Sequence, residues 1–161
     1  METCTVKISR VLAALDLSGY SETTFTHAVT LAEALGAELV ILNVINSRGL
    51  DALDSLAAQG LNISSEKYVQ TVEADRRAEF ERDYLGRVGD TPVRLVFRVG
   101  LPYEEILKAV GDEGADLLVL GVKGKTNLAG ALFGSTAEKV YRRARCTVVS
   151  VRGPEHCRLP D

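Results

Sequence analysis

Residues 115–136 read ADLLVLGVKGKTNLAGALFGST, and the order of features in this stretch decides the fold. The short apolar run at 117–120 is rich in β-formers and ends at once in Gly121, which reads as a buried strand. After a glycine-rich link, Ala137, Val140, Tyr141 and Ala144 recur at helical spacing, so an amphipathic helix begins near Ser135 and Thr136. The same alternation runs through the chain. Further strands are read at 11–15, 39–44, 93–99 and 147–151. Helical stripes follow at Phe25, Ala28, Val29, Ala32 and Leu35, and at Tyr103, Ile106, Leu107 and Val110. Residues 65–88 carry Val69, Val72, Phe80, Tyr84 and Val88 on one stripe, interrupted by Arg76. Strand and helix in alternation call for an α/β fold, a parallel sheet with helices on both faces, because each right-handed crossover lays its helix against the sheet. Gly36 ends the first helix, Pro102 opens the one after Gly100, and Gly111 and Gly114 close it. The one irregular region, 46–64, is long for a connection, and Leu50, Leu53, Leu56 and Ala57 place a short amphipathic helix inside it. It is read as a surface excursion, with a flap near a ligand as the alternative.

The chain has 161 residues, 46% of them hydrophobic, enough for one domain with one core. That single doubly wound domain is placed at 1–153, with a polar tail at 154–161. Nineteen basic against 22 acidic residues give a formal charge of −3, which excludes a general nucleic-acid field. No stretch approaches the roughly 20 apolar residues of a membrane span, and residues 1–10 lack a signal-peptide core, so a cytoplasmic protein is expected. Cys4, Cys146 and Cys157 show no paired spacing of a zinc or redox site, and Cys146 reads as a small core residue. His156 and Cys157 are adjacent and cannot close a metal site alone. Without a secretory signal, the sequon at Asn62 carries no meaning.

Glycine, lysine and hydroxyl residues concentrate at 121–136. Phosphate needs backbone N–H donors that approach closely, and Gly121, Gly124 and Gly134 leave room for that. Ser135 and Thr136 open a helix whose unpaired first-turn N–H groups and positive dipole end favour an anion. The plainer alternative is a capping box formed by Ser135 and Glu138. The segment is no P-loop, since Val119 stands where that motif needs its first glycine. Nor does VLAALDLS at 11–18 carry the glycines of a dinucleotide fingerprint. In open α/β sheets ligands bind beyond the strands' carboxyl ends, where the strand order reverses. With a 3-2-1-4-5 order, that point lies between the first and fourth strands, so Asp16 and Gly121 would face one crevice. A turn or cap role is the alternative for Asp16, although Ser18 and Ser21 are better placed to cap.

The spacing G-x2-G-x9-G-S, met by Gly121, Gly124, Gly134 and Ser135, resembles the nucleotide-binding signature of the universal stress protein family. So do Asp16 followed by Ser18, LNVIN ending at Asn46, VGLPYEEIL at 99–107, ADLLVLG at 115–121 and the closing TVVSVR. The resemblance covers nearly all of the chain except 47–64 and the tail. It implies a Rossmann-like fold of the adenine nucleotide alpha hydrolase type, with a five-stranded parallel sheet, that binds ATP, or AMP or ADP. It implies that Asp16 lies beside ribose and phosphates with a divalent metal, Mg2+ or Mn2+. Val44 would meet adenine through its backbone. Gly121, Gly124, Gly134, Ser135 and Thr136 would hold ribose and phosphates, with Val122 and Lys123 beside them, and Ala14 and Leu15 would form the inner wall. Lys123 and Lys125 add charge attraction to phosphate, with solvated surface lysines as the alternative. Many relatives have proline where this chain has Ala14. The resemblance further implies a homodimer through the last strand, 146–152, an apolar edge open to pairing.

A nucleotide-binding regulatory or stress-response protein is therefore the leading expectation, with its protein effector unspecified. The second is a slow magnesium-dependent ATP hydrolase in which Asp16 holds the ion and orients water. Neither His27 nor His156 is placed as a general base near Asp16, and no arginine finger is apparent. ATP pyrophosphatases carry a serine- and glycine-rich loop after the first strand, which LDLSGYSE does not supply. A phosphorelay receiver needs an aspartate at the end of the third strand, where Arg98, Val99 and Gly100 stand.

Overall fold

The computed structural model of the chain describes residues 7–60, 64–123 and 134–153. Within them β1 (Arg10–Ala14), β2 (Glu38–Asn46), β3 (Val93–Gly100), β4 (Leu117–Gly121) and β5 (Thr147–Val151) form one parallel sheet of order β3-β2-β1-β4-β5. Between the strands run α1 (Ser21–Leu35), α2 (Leu50–Ala58), α3 (Ser65–Asp83), α4 (Pro102–Asp112) and α5 (Ser135–Arg143). The order and the helical layers agree with the sequence reading.

Side chains alternate across each strand, and that alternation sorts the apolar residues into two cores. Val11, Ala13, Leu39, Ile41, Leu117 and Val119 face α1 and α3 together with Phe25, Ala28 and Phe80. Leu12, Val40, Leu42, Leu118 and Leu120 face α4 and α5 together with Ile106, Val110, Ala137 and Val140. Because both faces are covered, the central strands read as continuous apolar runs. Cys146 packs against the second core, half-buried, and burial pushes its thiol pKa up.

Some sequence readings shift. Leu35 and Tyr141, placed on buried stripes, are 43% and 61% exposed. Each sits in the last turn of its helix. The helix expected over 65–88 stops at Asp83. Tyr84 leaves helical geometry (φ −123°, ψ −53°), and a single 3-10 turn over Leu85–Arg87 follows. Phe80, Tyr84 and Val88 all reach the core, Val88 from beyond the 3-10 turn. The short helix expected inside 46–64 is present as α2, and none of its residues is buried. Gly36 ends α1 in left-handed geometry (φ 61°), where its missing side chain avoids strain.

At the amino edge of the sheet Glu38 accepts from Arg10 Nε at 2.8 Å and from Arg94, while Arg94 Nη2 reaches Glu113 Oε2 at 3.0 Å. Hydrogen bonds from Arg94 and then Arg10 hold the Glu38 carboxyl below its ordinary 4.5. Its folded pKa lies beneath the unfolded one, so the stabilisation is complete above pH 4.5 and is lost as pH falls through the folded value. Arg94 is half-exposed, so solvent screening keeps the contribution small. We expect the melting temperature to fall on acidification below pH 4.5, and Glu38→Gln to flatten part of that slope. An unchanged slope in a thermal series would show the network to be neutral.

Candidate functional site

β1 and β4 are neighbours, with Ala14 opposite Leu120. From β1 the chain turns to α1 on one face of the sheet, and after β4 it returns as α5 on the other. The carboxyl ends of these two strands therefore splay apart and open a crevice. Its cavity is about 230 Å³, near the lower end of small-molecule clefts, which start at roughly 300 Å³. Ala14, Leu15, Asp16, Val44, Gly121, Val122, Lys123, Gly134, Ser135 and Thr136 all line it. Gly124, the remaining expected site residue, and Lys125 lie outside the described residues, as do Cys4, Asn62, His156 and Cys157.

On the β4 side, Val122 N–H donates to Val151 O at 2.8 Å and Gly134 N–H to Val122 O at 2.7 Å. These two bonds bring the start of α5 back beside the end of β4. Gly134 is the residue that caps α5, in extended geometry and with no side-chain cap. Ser135 is the first helical residue, so the capping box weighed as the alternative for Ser135 and Glu138 does not form. A Ser135 hydroxyl inside the helix cannot fold back onto the first-turn N–H groups as a cap does. Ser135, Thr136 and Ala137, which carry those first-turn groups, line the cavity, and the positive end of the helix dipole lies there with Lys123.

Asp16 has both roles weighed for it. Its Oδ1 accepts from Ser18 N–H at 3.0 Å and from Ser21 Oγ at 3.2 Å, and Leu17 between them is left-handed at φ 58°. This Asx turn fixes the carboxylate at the mouth of β1 while it lines the cavity. Neither Ser18 nor Ser21 is the N-cap of α1, which is Tyr20 without a side-chain bond: Ser18 Oγ accepts from Tyr20 N–H at 3.3 Å, ahead of the helix, and Ser21 Oγ donates to Asp16. His27 is exposed on α1 against Thr23 O and does not line the cavity. Among the described residues no group of three or more His, Cys, Asp or Glu side chains comes together to hold a metal.

On the β2 side the structure adds residues the sequence reading did not assign to the site. Asn43 is fully buried, and its Nδ2 donates to Leu15 O at 2.7 Å. Arg76 of α3 lines the cavity, and its Nη1 donates to Asn43 Oδ1 at 2.7 Å and to Val44 O at 3.3 Å. Leu42, Pro102 and Ile106 supply apolar wall. An amide inside the apolar run ILNVI and an arginine breaking the stripe of α3 were the available signals, since a buried polar side chain needs a partner.

Comparison with known proteins places this geometry. The sequence model described as the Universal stress protein family matches residues 7–152. Universal stress protein MJ0577 of Methanocaldococcus jannaschii is 32% identical over 157 residues, covering 91% of this chain and 96% of that protein. The solved structure of MJ0577 superposes with a TM-score of 0.73 at 30% identity, covering 91% of this chain and 97% of the other. A universal stress protein solved in complex with cAMP gives a TM-score of 0.59 at 25% identity, covering 91% and 98%.

Proposed function

The chain belongs to the universal stress protein family, and from that premise we propose that it is an adenine-nucleotide-binding regulatory protein that takes ATP in the crevice between β1 and β4. One observation carries the reading: the N-terminus of α5, Lys123 and the close backbone of Gly121 and Gly134 converge on the same cavity. Phosphates suit that wall, where N–H donors and positive charge are preset. Ribose and phosphates go to Gly121, Val122, Lys123, Gly124, Gly134, Ser135 and Thr136. Val44 goes to adenine, its backbone beside the apolar wall of Leu42 and Ile106. Asp16 fits a magnesium or manganese ion only as one carboxylate ligand, so phosphate oxygens and water complete the sphere. The cAMP complex of a relative supports a cyclic or linear adenine nucleotide as the ligand class. The reading includes work in the cytoplasm and an isologous dimer through β5, which lies at one edge of the sheet.

Asp16 also supports slow hydrolysis as a second reading, because its carboxylate lines the same cavity as the phosphate wall. Titration of the protein with ATP and AMP, alongside Ser135→Ala and Gly124→Val, tests both readings. Saturable ATP binding weakened by the variants is the expected result, and no binding by the unaltered protein ends the proposal. Magnesium-dependent turnover that disappears in Asp16→Ala moves the hydrolase ahead.

A further inference from the structure

The two sides of the crevice differ in chemistry. Lys123 and the start of α5 lie on the β4 side, which suits phosphates, whereas Leu42, Val44, Pro102 and Ile106 make the β2 side apolar and suited to a flat base. Leu15 N–H donates to Leu42 O at 2.9 Å. Peptide groups two residues apart point to the same side of a strand, so the Val44 carbonyl faces the space beyond the end of β1. A bare carbonyl there would pair with the 6-amino group of adenine and set an acceptor against the 6-oxo group of guanine.

That carbonyl is not bare. Arg76 Nη1 donates to it at 3.3 Å and to Asn43 Oδ1 at 2.7 Å, and the buried Asn43 is itself fixed by its bond to Leu15 O. Because Leu15 O only accepts, it takes the Nδ2 end of the Asn43 amide and turns Oδ1 towards Arg76. The guanidinium is thus held at the base wall by a side chain whose own orientation is determined. A guanidinium offers five N–H donors in a rigid fork. Among the described residues only Nη1 has hydrogen-bond partners, which leaves Nε and Nη2 for a ligand. Arginine pairs with the O6 and N7 acceptors of guanine in two-pronged fashion.

We propose that Arg76 sets base selectivity: held at the Val44 wall by Asn43, it supplies donors that let the crevice take a 6-oxopurine nucleotide, guanine or hypoxanthine, alongside an adenine nucleotide. This rests on the nucleotide reading of the crevice. Carbonyl oxygens have two lone pairs, so Val44 O serves the 6-amino group of adenine while also accepting from Arg76. Discrimination is a difference of affinities, and the donor offsets what the carbonyl would otherwise reject.

The test measures dissociation constants for ATP, GTP and ITP on the full chain, the Arg76→Ala variant and the Arg76→Lys variant. ITP shares the 6-oxo group of guanine and lacks its 2-amino group, so it isolates the contact proposed. The unaltered protein is expected to bind all three. Arg76→Ala is expected to lower the affinity for GTP and ITP relative to ATP on the order of tenfold, with Arg76→Lys between. The ratio is taken within one variant, so a general loss of folded protein does not move it. If ATP still binds and the ratio is the same in all three proteins, or if the unaltered protein rejects GTP and ITP, the selectivity proposal is overturned while the nucleotide reading stands. If no triphosphate binds the unaltered protein, both fall.

Discussion

Replacing Phe80 with alanine is expected to cost about 3–5 kcal/mol of stability, the largest effect of any single change considered. Phe80 is fully buried and is the only buried residue of the 19 in α3. Its ring lies 6.2 Å from Phe97 on β3 and 5.4 Å from Tyr84, which meets Phe25 of α1 edge-on at 4.9 Å. One side chain therefore ties a long, mostly polar helix to the sheet and to its neighbour. Truncation leaves a cavity that the sheet on one side and α1 on the other cannot collapse into. In a urea titration the midpoint should drop with little change in slope. A loss below about 1 kcal/mol would show that α3 is held by its polar contacts instead. Phe80 stands one helical turn from Arg76, on the same side of α3. Loosening this anchor should therefore also disturb the guanidinium beside Val44.

Gly121→Val is expected to weaken ATP binding on the order of a hundredfold while the sheet still forms, an effect that follows from crowding of about 1–3 kcal/mol. A Cβ at this position would stand 3.0 Å from Lys123 O, 3.1 Å from Thr24 Oγ1 and 3.7 Å from Tyr20 Cβ. The first contact is with backbone, and Thr24 is buried with its hydroxyl bonded to Tyr20 O at 2.9 Å. None of these atoms is the loose end of a flexible side chain, so the chain after β4 or the start of α1 must move. Either movement reshapes the wall proposed for phosphate. Isothermal titration alongside circular dichroism separates the outcomes: native spectra with unchanged ATP affinity would mean that the nucleotide does not use this wall.

The layout of strands and helices was legible because the central strands, buried on both faces, stand out as apolar runs such as LVIL and LLVLG between helical stripes. The glycine spacing at 121–135 marked the β4 side of the crevice, and Asp16 could be placed at the end of the first strand by counting. Helix ends were less legible, as the turn at Tyr84 shows, because Phe80, Tyr84 and Val88 at i, i+4 and i+8 fit one helical stripe and gave no local signal for the break. Ser135 and Ser18 read equally well as caps, and only the path of the chain decided that neither caps its helix. The β2 side of the crevice needed the fold most. Arg76 lies 33 residues from Asn43 in sequence and meets it only because α3 crosses the carboxyl end of β2. From sequence alone, then, this protein's α/β class, its parallel core and the place of Gly121 and Gly134 on the crevice were legible, since these rest on local periodicity and spacing. Tertiary structure alone decided the partners of Asn43 and Arg76, because a hydrogen bond between distant segments depends on how helices pack and leaves no local pattern in the chain.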